Sequence, residues 1–217
     1  MNPVAAGMSP VAGVRPGFRG WWVLAGLAGL VAVAGLWVSS SYNGLVRLDQ
    51  AAQSQWAQVE NTYQRRADLV PNLVATVKGA ADFEKGTFTA VAEARAQVGK
   101  LPPGTLKALG TDPAAFERFQ KAQDELTTSL SRLLVVAEQY PQLKATENFR
   151  DLQAQLEGSE NRITVERMRF NEAAQAFNSS RSAFPTVLIA GFAGHRFDDK
   201  PYFHAVSGTE RPPTVNF

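Results

Sequence analysis

The sequence predicts an all-α protein, an antiparallel four-helix bundle of long heptad-patterned helices preceded by one N-terminal transmembrane helix. Three observations carry this. The stretch from Trp21 to Val38 holds no charged residue. Beyond it, apolar residues recur by threes and fours through most of the chain, the spacing of one helix face. No stretch alternates apolar and polar residues as a half-buried strand would. The expected organisation is a short tail over 1–20, the membrane helix over 21–38, the bundle over 42–184 and an irregular tail over 185–217.

The first element, WWVLAGLAGLVAVAGLWV, is long enough for a helix to cross a hydrocarbon core of roughly 30 Å. Trp21 and Trp22 at one end and Trp37 at the other stand where interfacial anchors belong. A soluble core helix would show a polar face, and this run has none. A cleaved signal peptide is the competing reading, with Ser39 and Ser41 as the small residues before a cut at Tyr42, but the run exceeds the usual apolar region of about 7–15 residues. Arg15 and Arg19 precede the span, and Arg47 is the first basic residue after it, with none again until Arg65. The positive-inside rule therefore puts the N-terminus in the cytoplasm and the bundle outside it.

The first bundle helix is predicted from Leu45, Leu48, Ala52, Trp56, Val59, Tyr63, Ala67, Val70, Val74 and Val77, with Gly79 closing it as a glycine just past the last periodic residue does. A second helix starts at Asp82 as cap and runs to Val98 on Phe83, Phe88, Val91 and Val98. KLPPGTLKALGTDP, Lys100 to Pro113, is the one long loop inside the domain, and Asp112 before Pro113 reads as an N-cap followed by a first-turn proline. Phe116, Phe119, Leu126, Leu130, Leu133, Ala137 and Tyr140 form the third stripe, which Pro141 stops. The fourth helix runs from Thr146 or Glu147 to about Phe184, with Phe149, Leu156, Ile163, Phe170, Phe177 and Phe184 at intervals of seven. Four such stripes joined mostly by short turns make an antiparallel bundle. In the tail, the apolar run Val187 to Phe192 either covers one end of the bundle or touches the membrane.

Composition narrows the chemistry. The formal charge is +2, and with Arg15 and Arg19 set aside, 20 of the 22 basic residues remain against 20 acidic ones. A neutral domain with interspersed signs lacks the one-signed patch that nucleic acid requires. There is no cysteine, which removes disulfides and thiolate metal sites. His195 and His204 lie apart in the tail, with no helical spacing and no third ligand in sequence reach.

The most unusual block is YQRRADLVPNLV, Tyr63 to Val74, which sets two arginines, an aspartate and a proline inside a helical pattern. At 100° per residue from Tyr63, Arg65, Asp68 and Asn72 fall near about 180°, on the outward face, and Arg66 lies about 60° away, on the flank of the stripe. From the flank a guanidinium can snorkel or reach a carboxylate on a neighbouring helix. Glu160 and Glu166 are the candidate carboxylates, and with Asn161 and Arg162 they form the set of candidate inter-helix partners. Pro71 withholds a hydrogen bond from the Ala67 carbonyl, so a kink could aim the charged face at a partner; a helix merely bent around its bundle is the plain alternative. For Arg65 and Asp68 the plain alternative is a solvated i,i+3 pair.

No GxGxxG, Walker-type GxxxxGK, HExxH or GxSxG string is present. A di-iron bundle needs Glu-x-x-His pairs on its helices, and these helices hold no histidine. No catalytic, cofactor or metal residue is assigned, and the chain is read as a non-enzyme.

The ordered strings YNGLVRLDQ (Tyr42 to Gln50), YQRRADLVPNLVATVKG, FTAVAEARA (Phe88 to Ala96), SENRI (Ser159 to Ile163), RFNEAAQAFN (Arg169 to Asn178), FPTVLIAG and KPYFHA together resemble the LemA family of bacterial membrane proteins, over nearly everything from Tyr42 onward. The resemblance implies one N-terminal membrane helix carrying a helical bundle, and a family with no established enzymatic activity. Some members carry a lipoprotein-type cysteine just before the YN dipeptide; WVSSSYN, Trp37 to Asn43, has serines there. The resemblance places the chain in the bacterial inner membrane and favours a bundle outside the cytoplasm.

Two functional expectations result. The first is a scaffold that forms homo-oligomers through Arg65, Arg66, Asp68, Pro71 and Asn72 and organises envelope proteins, membrane proteases among the candidates. The second is a binding module or sensor, in which the bundle end and the tail from Pro185 capture a peptide, a lipid or a partner domain.

Overall fold

The computed structural model describes residues 19–80, 85–100 and 112–204. Among them are the helices α1 (Arg19–Ala80), α2 (Lys85–Lys100), α3 (Pro113–Glu138), α4 (Pro141–Lys144), α5 (Glu147–Ser182) and α6 (Thr186–Phe192), then a 3-10 turn, Gly194–Phe197. The described residues contain no strand. The chain divides into two compact units between Ser40 and Ser41.

In the first unit Trp21 to Val38 is helical and exposed throughout. Trp21 and Trp22 are 78% and 68% exposed, and Trp37 is 40% exposed. The run is long and apolar enough to cross a membrane. Arg15 lies outside the described residues.

In the second unit, α1 buries Leu45, Ala52, Trp56, Val59, Tyr63, Arg66, Val70, Leu73 and Val77. Asp49, with 13% of its side chain exposed, fills the gap between Leu45 and Ala52. These positions step alternately by four and three without a break, the strict seam of a coiled coil. A stripe drawn through apolar residues alone had placed Leu48, Ala67 and Val74 on this seam, and all three are only half-buried. Asp49, Arg66 and Leu73 hold the central positions instead. Arg66 is accordingly not on the flank but in the core, 1% exposed.

The same rule orders α3, whose Phe116, Phe119, Gln123, Leu126, Leu130, Leu133 and Ala137 are buried at alternating steps of three and four. On α5, Phe149, Leu156, Ile163, Phe170 and Phe177 are buried at intervals of seven, joined by Ser159 and Ala174. α5 ends at Ser182, so Phe184 falls off the helix and stands 82% exposed. Trp56 touches Phe116 and Phe119 of α3 and Phe170 of α5, whereas Arg66 meets Gln123 and Thr127 of α3 and Glu160 of α5. Residue numbers therefore ascend together along α1 and α3 and descend along α5. α2 packs Val91 and Ala94 beside Val70, Leu73 and Val77, so it turns back along α1 and completes the bundle.

The local signals behave as their chemistry requires. The Asp112 carboxylate accepts the Ala115 N–H at 3.1 Å, with Pro113 in the first turn of α3. Asp82, Phe83 and the loop before Asp112 lie outside the described residues. The segment after Phe184 differs from the irregular tail expected of it. α6 and the 3-10 turn come first, and beyond them Lys200 and Phe203 are buried, each only 7% exposed. Ala190 and Phe197 join Leu45 and Phe177 in a cluster of their own, and Phe203 joins the cluster around Trp56. Residues 205–217 lie outside the described residues.

Candidate functional site

The polar heart of the bundle is one layer between two apolar clusters. Arg66 donates through Nη1 to Glu160 Oε1 at 2.7 Å and to the Thr127 hydroxyl, and through Nη2 to the Gln123 side chain and backbone carbonyls. One guanidinium thus ties α1 to both α3 and α5 with the fork of donors only arginine carries. Its carbon lies 5.2 Å from the Tyr63 ring centroid. Burial pushes the Tyr63 hydroxyl up to about 12, against the opposing pull of Arg167 and Arg66. Removing a charge from water is compensated only where its donors are met, and Glu160, a third exposed, supplies the countercharge. Ser159 Oγ, in the same stretch of α5, has no hydrogen-bond partner among the described residues.

A second polar arrangement holds the tail. Asn178 donates to the Lys200 carbonyl at 2.9 Å and accepts the Lys200 N–H at 2.8 Å. Asn171 does the same for Phe203, at 2.9 Å in each direction. Gln120 of α3 donates to the His204 carbonyl at 2.8 Å. Each amide sets one of its N–H groups and its carbonyl oxygen against a backbone unit, and Asn178 spends its second N–H on the Tyr202 hydroxyl at 3.0 Å. The spacing explains the pairing: seven residues of helix rise about 10.5 Å, and three residues of extended chain span about 10 Å. Side chains then lock the register. Lys200 Nζ lies 2.7 Å from Asp49 Oδ1 and 4.8 Å from the Phe177 ring centroid. The Phe203 ring stacks on Trp56 with centroids 5.8 Å apart and planes 12° from parallel, and the Arg167 guanidinium carbon lies 4.7 Å from the Phe203 centroid. Arg167 also pairs with Asp124 of α3 at 3.3 Å.

The outward side of the Tyr63 to Val74 block is different. Arg65, Asp68, Pro71 and Asn72 are all exposed. Asp68 accepts from Gln64 on its own helix at 2.8 Å. Arg65 borders a shallow cleft of about 320 Å³ with Asp151, Gln155, Ser159 and Arg162 of α5. Asp68 and Pro71 border a larger groove of about 860 Å³ between α1 and α2, floored by Val70, Val74, Val91 and Phe119. Glu60 lines the same groove; burial raises its carboxyl above the usual 4.5, opposed by a hydrogen bond with Trp56. Pro71 sits within α1, and the helix continues past it to Ala80.

Residues 55–217 match the LemA family. The chain belongs to the LemA family. Magnetosome protein MamQ of Magnetospirillum gryphiswaldense is 27% identical over 186 residues, which cover 79% of this chain and 67% of that protein. Magnetosome protein MamQ 2 of Paramagnetospirillum magneticum is 27% identical over 179 residues, covering 74% and 65%. The chain spans about two thirds of the length of these relatives.

In this LemA chain the residues singled out from sequence go to separate places. Arg66 and Glu160 meet in the core, while Glu166 pairs with Arg169 at 2.9 Å and accepts from Gln55 of α1. Asn161 and Arg162 are exposed and make no hydrogen bond or ion pair among the described residues. His195 is 98% exposed beside Asp198, and His204 belongs to the tail clamp. Sequence reasoning missed Asn171, Asn178, Lys200 and Phe203. A signal was there to find: Phe170-Asn171 recurs as Phe177-Asn178 seven residues later, each phenylalanine in the core and each asparagine beside it at the edge.

Proposed function

We propose that this LemA-family protein is a membrane-anchored, non-catalytic scaffold that self-associates through the outward face of α1 and organises other envelope proteins. In this reading Trp21 to Val38 spans the bacterial inner membrane, Trp21, Trp22 and Trp37 sit at its interfaces, and the bundle stands outside the cytoplasm. The observation that carries it is the division of labour in the Tyr63 to Val74 block. Arg66 is consumed by helix pairing, which leaves Arg65, Asp68 and Asn72 exposed on the opposite side of the same helix. Among the described residues the other deeply buried cation, Lys200, is likewise spent on internal pairing with Asp49. The likeness to proteins named for the magnetosome suits a role in membrane assemblies.

Light scattering of the detergent-solubilised protein tests the reading. An assembly that dissociates when Arg65, Asp68 and Asn72 become alanine is the expected result. A monomer at micromolar concentration sinks the scaffold, and an assembly untouched by the triple substitution moves the interface elsewhere.

The tail clamp favours a second reading, a module that captures extended peptides. Asn171, Asn178 and Gln120 contact tail backbone while Asp49 and Trp56 take the Lys200 and Phe203 side chains, so the groove suits an extended chain with a cation and an aromatic ring three residues apart. A synthetic KPYFHA peptide should bind a Phe203→Ala protein, whose own tail is loosened, better than the parent. Binding to neither removes this reading.

A further inference from the structure

We propose that the cleft between α1 and α5 at Arg65 and Arg162 is a phosphate-binding site, taking a free phosphate or a small phosphate ester. The site shares Arg65 with the self-association face but does not depend on that reading.

The first observation is a pair of unspent cations. Arg65 and Arg162 border one cleft of about 320 Å³ together with Asp151, Gln155, Gly158 and Ser159. Both arginines are exposed, and neither makes a hydrogen bond or an ion pair among the described residues. Arg66, the next residue of α1, meets Glu160, so Arg65 stands level with the turn of α5 that carries Ser159 and Arg162. Asp151, the one carboxylate on the cleft, lies about three turns from Arg162, roughly 16 Å along the helix axis. Positive charge is therefore in excess where the two arginines meet.

The second observation is Ser159. It holds a seam position between Leu156 and Ile163, is only 4% exposed, and its hydroxyl has no hydrogen-bond partner among the described residues. A helical serine or threonine commonly turns its hydroxyl onto the carbonyl four residues back, as Thr127, Thr128, Ser131 and Thr164 do here. Ser159 does not, and so keeps a donor in the wall of a cleft where cations gather. Gln155 and Ser159 are neighbours at i,i+4 and Ser159 and Arg162 at i,i+3, which sets a row of donors along the side of α5 next to Arg65.

The third observation is room. Gly158 stands in the same row, and a Cβ added there would meet no atom within 4 Å. Glycine weakens a helix interior relative to alanine, and nothing packed against Gly158 requires it. What it leaves is open space beside the donors.

The donor set selects the ligand. Two guanidinium forks, a hydroxyl and an amide hold more N–H and O–H groups than the two oxygens of a carboxylate accept. A phosphate group brings three terminal oxygens and a charge of about −1.5 to −2, and arginine meets it with two parallel hydrogen bonds.

Isothermal titration calorimetry of the whole detergent-solubilised chain tests the site, near neutral pH and at physiological salt, where loose association of exposed charges is largely screened. The probes are inorganic phosphate, glycerol 3-phosphate and succinate. Expected is saturable binding of one phosphate group per chain. Arg65→Gln and Arg162→Gln should each weaken it about tenfold or more, the loss of a charge-assisted contact. Ser159→Ala should weaken it several-fold, and Gly158→Leu should abolish it by filling the cleft, with helix content by circular dichroism unchanged. If the leucine is not accommodated, Arg162→Gln, which alters only an exposed side chain, decides alone. Tighter binding of glycerol 3-phosphate than of inorganic phosphate assigns the site to an ester, and the reverse order to the free ion. Succinate binding as tightly as either phosphate would assign the cleft to carboxylates and overturn the proposal. So would the absence of saturable binding, or binding unchanged in Arg162→Gln. Light scattering of the parent protein reads the scaffold separately, so the two readings can fail independently.

Discussion

Phe203 stacks on Trp56 with ring centroids 5.8 Å apart and planes 12° from parallel, although one residue belongs to the first bundle helix and the other to an extended tail. Phe116 and Phe170 close around the same ring at 4.9 and 5.6 Å. The tail is therefore part of the core, and a chain cut after Phe184 would lose core as well as tail.

Phe203→Ala should cost about 3–5 kcal/mol, the range for a buried phenylalanine truncated to alanine. Chemical denaturation of the bundle measures it. A loss under about 1 kcal/mol would mean that the tail is not seated on Trp56 in solution.

In the Arg66 layer the partner should matter more than the arginine. Glu160→Ala strands a buried cation and should cost roughly 3 kcal/mol. Arg66→Leu removes the charge and leaves mainly the Gln123 amide unmet, for about 1–3 kcal/mol. Ser159→Ala deletes a hydroxyl that has no partner among the described residues and should cost less than about 0.5 kcal/mol. The reverse order of the first two in denaturant titrations would contradict the layer.

The amide clamps should act locally. Asn171→Ala removes two hydrogen bonds to Phe203 and should weaken tail docking by about 1–2 kcal/mol. Hydrogen exchange reads this as faster exchange at Phe203 and His204, with Leu130 unchanged. Asn171→Asp keeps an acceptor for the Phe203 N–H but sets a carboxylate against its carbonyl, and should rescue little.

Glu60 predicts a pH dependence with a definite sign. Burial holds its folded carboxyl above the unfolded value of 4.5. The folded state therefore binds the proton more tightly, and stability falls as pH rises from 4.5 through the raised folded value. Glu60→Gln should raise Tm at pH 7, modestly because the group is only half-buried, and the gain should vanish below pH 4.5. An equal gain at both pH values would point to a cause other than ionisation.

The apolar run, the four heptad helices, the Asp112 cap and the family are legible from local spacing and short strings alone, which periodicity recovers without any knowledge of packing. Phe116, Leu130, Phe149 and Phe170 are core residues for that reason alone. Local spacing does not show that Asp49 and Arg66 occupy seam positions, since a stripe drawn through apolar residues slides to Leu48 and Ala67 at those points. A charge can sit at those positions because Lys200 and Glu160, remote in sequence, are brought by packing to supply the partners that burial demands. The tail is the same case in stronger form. Lys200 to His204 has no periodicity of its own, and its conformation is set by Asn171, Asn178 and Gln120, which come together only when α3 and α5 pack.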